Sequence, residues 1–148
     1  MIKVAICDDD IQFIYKLEQS IFRFAEMKRI KVDVDGYTSG AEFIQKLQQS
    51  ERYDLLFLDI ELGDSSGIIV GNWIRSQIQY ESMQIVFVSA KEMYAMQLFD
   101  LRPMNFLVKP IQQERVDYIL DEYERLYQFQ PHIIEIGKGR NSIRIEEH

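Results

Sequence analysis

The sequence is poor in cysteine and histidine, with one cysteine, Cys7, and two histidines among 148 residues. A single cysteine excludes an internal disulfide and indicates a reducing compartment, so we expect a cytoplasmic protein. Both histidines, His132 and His148, lie near the end of the chain and outside any helical pattern suited to phosphotransfer. Nothing in their placement predicts a histidine kinase.

Long apolar runs and excess positive charge are also missing. No apolar stretch approaches the roughly 20 residues that span a bilayer, and the start MIKVAIC lacks the pattern of a cleavable signal peptide. We therefore expect no membrane segment. The 24 acidic and 17 basic residues give a formal net charge of −7, so any contact with DNA is expected to be local. With 47% hydrophobic residues, the composition is that of one globular domain.

Short apolar runs predict the strands of the fold. Four continuous runs are typical of parallel strands buried on both faces, and they lie at 3–7, 55–58, 85–88 and 106–108. Strict alternation of apolar and polar residues over 30–35 predicts a half-exposed strand at an edge.

Apolar residues spaced by three or four predict helices between these strands. The stripes are Ile14, Leu17, Ile21 and Phe24; Phe43, Ile44 and Leu47; Val70, Trp73, Ile74 and Ile78; and Val116, Ile119, Leu120, Tyr123 and Leu126. Ser39 with Glu42 has the form of a capping box, and 91–101 has a weaker helical pattern. The order βαβαβαβαβα predicts an α/β fold, a doubly wound five-stranded parallel sheet with helices on both faces.

Polar side chains follow four of the predicted strands at the points where they end. They are Asp8, Asp9 and Asp10 after the first, Asp59 after the third, Ser89 after the fourth and Lys109 after the fifth. Taken singly, Asp10 is a candidate helix cap, and Asp59 is a candidate cap or solvated charge. Ser89 and Lys109 are singly candidates for a turn and a solvated charge. Because ligands of such sheets bind at the carboxyl ends of the strands, we expect these side chains to lie together.

The joint pattern predicts a metal site and phosphate chemistry. The carboxylates of Asp8, Asp9 and Asp59 raise one another's pKa unless a cation compensates, and Lys109 supplies only one positive charge. Oxygen ligands with room for water favour Mg²⁺. A carboxylate beside Mg²⁺ can attack a phosphoryl group, and Asp59 is the best nucleophile because it stands alone at the end of a central strand. Ser89 and Lys109 would donate to phosphoryl oxygens.

Residues 1–127 resemble the response-regulator receiver domain of two-component signalling. The motifs CDDD, LDIELGDSSG, VSA and FLVKP stand where that family carries its acidic pair, phosphorylated aspartate, hydroxyl residue and lysine. The resemblance implies a flavodoxin-like strand order, 2-1-3-4-5, and phosphorylation of Asp59 by a sensor histidine kinase. It also implies Mg²⁺ held directly by Asp9 and Asp59, through water by Asp8, and by the backbone carbonyl of Glu61.

The resemblance further implies a switch in the domain. Lys109 and Ser89 would act with Asp59 in self-catalysed phosphoryl transfer and autodephosphorylation, without turnover of another substrate. Ser89 and Phe106 would change position together after phosphorylation. Phe106 has no hydroxyl and would signal by burial of its ring, with plain core packing as the alternative. Gly67 falls where the family usually has glycine.

Glu61 and Lys91 lie two residues after Asp59 and Ser89, at the expected mouth of the site. We hypothesise that they approach each other and restrict the water that hydrolyses the acyl phosphate. Glu61 also makes a phosphatase-like enzyme an alternative function, because such enzymes place a general acid two residues after the nucleophile. The combination of CDDD, Ser89 and Lys109 favours the receiver.

The face formed by residues 91–127 is the expected output surface, and its apolar residues predict either a homodimer contact or core with a solvated rim. From Pro131 the segments HIIEI, GKGRN and SIRI predict a β-hairpin tail. With LFDLRPMNFLVKP, this tail resembles regulators that carry a LytTR-type DNA-binding domain. We therefore divide the chain into a receiver, 1–127, and a linker with the truncated start of such a domain, 128–148. DNA would be bound through the missing remainder; a stand-alone receiver that binds another protein is the alternative.

Overall fold

The structure, a computed structural model, describes residues 1–127, and the hairpin predicted from Pro131 lies outside them. Five parallel strands form one sheet in the order β2-β1-β3-β4-β5. The strands are β1 Ile2–Cys7, β2 Val32–Tyr37, β3 Leu55–Asp59, β4 Gln84–Ser89 and β5 Asn105–Val108. This arrangement confirms the predicted α/β class and strand order.

Residues 1–127 also form four α-helices and two 3₁₀ segments, of which all but the last helix lie between strands. They are α1 Ile11–Lys28, α2 Gly40–Gln48, α3 Gly67–Arg75 and α4 Gln113–Tyr127, with 3₁₀ segments at Ile78–Tyr80 and Glu92–Leu101. In this part of the chain no helix is both long enough and apolar enough to cross a bilayer. Ser39 caps the start of α2 as predicted, because its Oγ accepts a hydrogen bond from the backbone N–H of Glu42 at 3.0 Å.

The apolar runs of β1, β3 and β4 are buried on both faces of the sheet, as predicted for parallel strands. The same prediction is wrong for the run 106–108, because β5 lies at an edge of the sheet and only Leu107 of that run is buried. Successive residues of β3 show the alternation, because Leu55 and Phe57 join one core cluster while Leu56 and Leu58 join the other. α1 and α4 cover the first face, and α2, α3 and the 3₁₀ segment Glu92–Leu101 cover the second. A core on each side thus fixes the positions at which the strands end.

β2 lies at an edge of the sheet and is half-exposed, as its alternating sequence predicts. It begins at Val32, which pairs with Ile2, rather than at Ile30. The N–H of Ile30 is donated to the carbonyl of Ala25 in the cap of α1, where Arg29 has a left-handed φ of 59°. Because that bond belongs to the helix cap, the strand ladder starts later than the sequence pattern.

Two predicted core positions are wrong. Ile78, assigned to the third helical stripe, is 83% exposed, and Leu126, assigned to the fourth, is 50% exposed. α3 ends at Arg75 because the chain turns at Ser76, whose hydroxyl donates to the carbonyl of Trp73 at 2.6 Å. Ile78 therefore falls in the short 3₁₀ segment beyond α3. Leu126 lies in the last turn of α4, past the buried positions of that helix.

The helix predicted over 91–101 is instead the 3₁₀ segment Glu92–Leu101. It ends at Arg102, which has a left-handed φ of 52°. Within this segment only Leu98 and Leu101 are buried. A spacing of three residues is one turn of a 3₁₀ helix, so the two leucines lie in one row. Anchors at that spacing favour 3₁₀ geometry over the α-helix that the composition predicts.

Candidate functional site

The structure brings the predicted acidic residues together at the carboxyl ends of β1 and β3. Asp8 and Asp9 follow β1, and Asp59 is the last residue of β3. One carboxylate oxygen from each lies within 4.8 Å of the others. Lys109, which follows β5, places its Nζ 3.0 Å from Asp8 Oδ2 and 3.6 Å from Asp59 Oδ1. Three strands thus contribute three carboxylates and one ammonium group to a single site.

Asp8 is fully buried, and its two carboxylate oxygens have different partners. Oδ1 accepts a hydrogen bond from the backbone N–H of Asp10 at 2.8 Å. Oδ2 is buried and has no hydrogen bond of good geometry within residues 1–127; its contact with Lys109 is an ion pair. Burial raises the pKa of Asp8, and the N–H of Asp10 and the ammonium of Lys109 partly offset that rise. A further positive partner at this oxygen would therefore stabilise the buried carboxylate.

Asp59 is 4% exposed, although it is the candidate nucleophile. Its pKa is raised to about 6, mainly by burial and next by the charge of Asp8, while Lys109 and the backbone N–H of Glu61 lower it. The predicted repulsion among carboxylates is therefore present, but burial is the larger cause.

The side chains at this edge fit a divalent cation. Asp8, Asp9 and Asp59 offer three oxygens close together, and Lys109 neutralises one of their charges. The buried Oδ2 of Asp8 lacks a hydrogen bond, and Asp9 is exposed and so accessible to water. An oxygen-only set with room for water is suited to Mg²⁺.

Asp10 lies beside the cluster but has the ordinary role considered for it. Its carboxylate accepts hydrogen bonds from the backbone N–H groups of Gln12 and Phe13, at 3.0 and 3.3 Å. These two bonds cap α1, so Asp10 stabilises the helix start rather than joining the metal set.

Gly67 allows the chain after Asp59 to fold back onto the strand. A Cβ at this position would lie 2.1 Å from the carbonyl oxygen of Asp59. The N–H of Gly67 donates to the carbonyl of Ile60 at 2.7 Å, and Glu61 forms an isolated antiparallel bridge with Ser66. The glycine eight residues after the candidate nucleophile therefore has a steric reason in this structure.

Ser89 ends β4 and is almost fully buried. Its Oγ accepts a hydrogen bond from the backbone N–H of Lys91 at 3.0 Å. Because the oxygen is the acceptor in this bond, the hydroxyl hydrogen remains able to donate to another group. Ser89 is thus linked directly to the start of the 3₁₀ segment Glu92–Leu101.

Glu61 and Lys91 approach each other as the sequence predicts, with Lys91 Nζ 3.0 Å from Glu61 Oε2. This pairing lowers the pKa of Glu61. Tyr94 adds a contact that sequence reasoning missed, since its hydroxyl donates to the same Glu61 oxygen at 3.2 Å. The available signal was its position three residues after Lys91, which is one turn of a 3₁₀ helix.

Phe106 lies in β5, next to Phe87 in the sheet register, and is half-buried. Its ring packs against the core cluster on the α2 and α3 face. Its partial burial agrees with core packing and leaves room for a more buried position, so both roles considered for it still stand.

Comparisons with known proteins agree with this geometry. The family model described as the response regulator receiver domain matches residues 4–121. The chain is 30% identical to the sensory transduction protein LytT of Bacillus cereus over 149 aligned positions, which cover 100% of the chain and 57% of that relative. It is 35% identical to the transcriptional regulatory protein LytR of Staphylococcus aureus over 71 positions, covering 48% of the chain and 28% of the relative.

Solved structures show the same fold. The response regulatory domain of protein mrkE from Klebsiella pneumoniae superposes with a TM-score of 0.74 and 23% identity, over 86% of this chain and 99% of that one. The chain spans about half the length of the first curated relatives it matches, at 57% and 54%.

Proposed function

The chain belongs to the family of response regulator receiver domains, and from that membership we propose that Asp59 accepts a phosphoryl group from a cytoplasmic sensor histidine kinase. The observation that carries this proposal is the position of Asp59. Its carboxylate ends the central strand beside Asp8 and Lys109, in a buried site that fits Mg²⁺. We expect residues 1–127 to act as the receiver.

In the proposed reaction a carboxylate oxygen of Asp59 attacks phosphorus. The bond between phosphorus and the leaving atom breaks, and that atom is the histidine nitrogen of the kinase or an oxygen of acetyl phosphate. Asp8, Asp9, Asp59 and the backbone carbonyl of Glu61 would hold Mg²⁺, which when bound neutralises charge on the phosphoryl oxygens.

Lys109 and Ser89 complete the proposed chemistry from two neighbouring strands. The ammonium of Lys109 already lies within 3.6 Å of Asp59 Oδ1, where it stabilises the ionised form that attack requires. The same ammonium is placed to pair with a phosphoryl oxygen after transfer. The hydroxyl hydrogen of Ser89 is available to donate to another phosphoryl oxygen.

Autodephosphorylation would remove the phosphoryl group again, and it requires water to reach the phosphorus. We propose that Glu61 and Lys91, joined at 3.0 Å, cover the approach to Asp59 and restrict that water. The phosphatase-like alternative needs Glu61 protonated as a general acid near neutral pH. Its pairing with Lys91 and Tyr94 lowers the pKa of Glu61, which favours the ionised form and argues for the receiver.

The proposed switch begins at Ser89. A phosphoryl group adds roughly two negative charges and three acceptor oxygens, which would draw the hydroxyl inward. That movement would disturb the bond between Ser89 Oγ and the N–H of Lys91, and with it the start of the segment Glu92–Leu101. Phe106 would turn inward into the vacated space. The face formed by residues 91–127 would then change shape.

The output of the whole protein is proposed from its relatives. One matched relative is named a transcriptional regulatory protein, so we propose that residues 128–148 begin a LytTR-type domain that binds DNA. Homodimerisation through the 91–127 face is a further part of this proposal. Met93, Met96 and Phe99 on it are exposed and share one row of the 3₁₀ segment. A stand-alone receiver that binds another protein remains the alternative output.

One experiment tests the phosphoacceptor directly. The chain is incubated with acetyl phosphate and Mg²⁺, and the intact mass is followed for the wild type, Asp59→Asn and Asp10→Asn. We expect the wild type and Asp10→Asn to gain one phosphate, since asparagine also caps a helix. Asp59→Asn should gain none. Equal phosphate gain in Asp59→Asn would contradict the proposal.

A further inference from the structure

The Lys109 ammonium has a third neighbour besides the two carboxylates. The ring of Phe13 in α1 has its centroid 4.4 Å from Lys109 Nζ, the closest approach of a cation to an aromatic ring recorded within residues 1–127. Asp8 Oδ2 and Asp59 Oδ1 lie 3.0 and 3.6 Å from the same nitrogen. An aromatic face attracts a cation at this distance, and it does so more strongly where water is excluded.

The backbone of Phe13 is held by the acidic turn itself. Asp8 Oδ1 accepts the N–H of Asp10, and Asp10 Oδ1 in turn accepts the N–H of Phe13. These bonds connect the buried carboxylate, the helix cap and the residue that carries the ring. A residue in the first turn of α1 is therefore held in register with the end of β1.

Lys109 needs such a constraint, because its side chain is flexible and one side of it is open. A lysine ammonium is a compact charge on four rotatable carbons, without the planar geometry that orients arginine. Beside it lies a cavity of about 430 Å³ whose lining includes Phe13, Lys109, Ala90, Pro110 and Ile111. The side chain of Lys109 is 24% exposed. Without the ring, the ammonium has space to move toward this cavity and away from Asp59.

We propose that Phe13 is a positioning residue for the phosphoryl transfer, holding the Lys109 ammonium between Asp8 and Asp59 with its ring face. The role rests on the proposed function of Lys109 and extends it to a residue of α1. The competing explanation is structural, because Phe13 also packs against the core cluster under α1 and α4. A leucine at position 13 keeps apolar bulk there but presents no aromatic face.

The kinetic test compares Phe13→Leu, Phe13→Tyr and Phe13→Trp with the wild type, using acetyl phosphate and Mg²⁺. We expect Phe13→Leu to lower the rate constant of Asp59 phosphorylation by roughly 3- to 30-fold, the range of a partly desolvated cation–π contact. Phe13→Tyr and Phe13→Trp should restore most of the rate. Phe24→Leu is the matched control, since it removes a buried ring from the same helix without touching the site, and its rate should equal that of the wild type. Equal loss in all Phe13 variants would overturn the proposal.

A second readout does not depend on phosphorylation. In protein labelled with ¹³C-lysine, the ring current of Phe13 should displace the ε-methylene signal of Lys109, which Lys109→Met identifies by its loss. We expect Phe13→Leu to return this signal toward that of a solvated lysine and Phe13→Tyr to retain the displacement. An unmoved signal in Phe13→Leu would contradict the positioning role alone. Absence of Asp59-dependent phosphate gain in the wild type would instead contradict the proposed function.

Discussion

The carboxyl ends and the amino ends of the parallel strands, which we call the carboxyl edge and the amino edge, hold charged side chains in opposite ways. At the carboxyl edge, Asp8 and Asp59 are buried side by side, and Asp8 Oδ2 has an ion pair but no well-formed hydrogen bond. At the amino edge, the guanidinium of Arg75 donates to backbone carbonyls of Leu101 and Met83 at 2.8 Å each. It also reaches the carbonyls of Glu81 and Arg102, at 3.4 and 3.3 Å.

This difference separates a fixed end of the molecule from one that can respond to a ligand. The amino edge has little to gain from further contacts, because the half-buried guanidinium of Arg75 already has backbone acceptors. The carboxyl edge holds close like charges, so a cation or a phosphoryl group changes its energy strongly. The 3₁₀ segment Glu92–Leu101 connects the two edges. It begins near the Glu61–Lys91 pair and ends at the carbonyls bound by Arg75.

The largest expected effect on stability comes from adding a side chain at Gly67, where the chain folds back onto the end of β3. Gly67→Ala would force a Cβ to within 2.1 Å of the Asp59 carbonyl, and backbone atoms cannot move aside easily. We expect the free energy of unfolding in urea to fall by about 3 kcal/mol or more, with slower phosphorylation. Gly63→Ala is the matched control, since its Cβ would meet only the side chain of Asp9, at 3.1 Å. Similar losses in both variants would contradict the steric account.

Removal of the Arg75 guanidinium tests how far its hydrogen bonds stabilise the amino edge. Arg75→Met keeps the aliphatic bulk but leaves four carbonyl acceptors without this donor, so we expect a loss of about 2–3 kcal/mol in the free energy of unfolding. Arg125→Met provides the control, because Arg125 is 68% exposed and its ion pair with Glu122 is long, at 3.9 Å. A loss no greater than that of the control would show that the amino edge does not depend on Arg75.

Asp59→Asn should raise the free energy of unfolding, because it removes one of the buried like charges at the carboxyl edge. The pKa of Asp59 is about 6 in the folded protein, against about 3.9 for an unfolded aspartate, so the folded state binds the proton more tightly. The contribution of Asp59 to the stability of the wild type therefore falls as pH rises from about 4 to 6. With EDTA present, Asp59→Asn should be more stable by about 1–3 kcal/mol at pH 7.5. The difference should shrink toward pH 4, and a difference independent of pH would contradict this account.

The smallest effect on stability is expected at the mouth of the site. Glu61→Gln and Lys91→Met break an exposed ion pair, so neither change should move the midpoint of urea unfolding measurably. Both should speed loss of the phosphoryl group if the pair restricts water. Tyr94→Phe keeps the ring and loses the 3.2 Å bond to Glu61, so it measures how much that bond slows loss of the phosphoryl group. Unchanged dephosphorylation rates in the double variant Glu61→Gln/Lys91→Met would rule out the restriction of water.

Sequence patterns predicted the carboxyl edge far better than the amino edge. Asp59 and Lys109 interrupt apolar strands with charge, so the sequence marks them, and parallel topology brings them together. The Arg75 contacts leave no such mark, because their acceptors are backbone carbonyls that every residue carries. The same holds for Phe13, whose contact with Lys109 joins the first helix to the fifth strand.

The 3₁₀ segment Glu92–Leu101 shows a second limit of sequence reasoning. Its glutamate, methionine, alanine and leucine residues favour an α-helix by intrinsic propensity. Tertiary contacts decide otherwise, since Leu98 and Leu101 are buried one 3₁₀ turn apart and Arg75 binds the final carbonyl. Propensity is a local quantity, and both ends of this segment are held by residues distant in sequence.

Residue-specific amide hydrogen exchange, measured by NMR before and after phosphorylation, tests most directly whether only one edge responds. The reporters are the N–H of Lys91, bonded to Ser89 Oγ, and the N–H of Met104, bonded to the Ile85 carbonyl beside the Arg75 contacts. With Asp59→Asn treated identically as the control, we expect phosphorylation to speed exchange at Lys91 and leave Met104 unchanged. Equal changes at both amides, or a change at Met104 alone, would contradict the account.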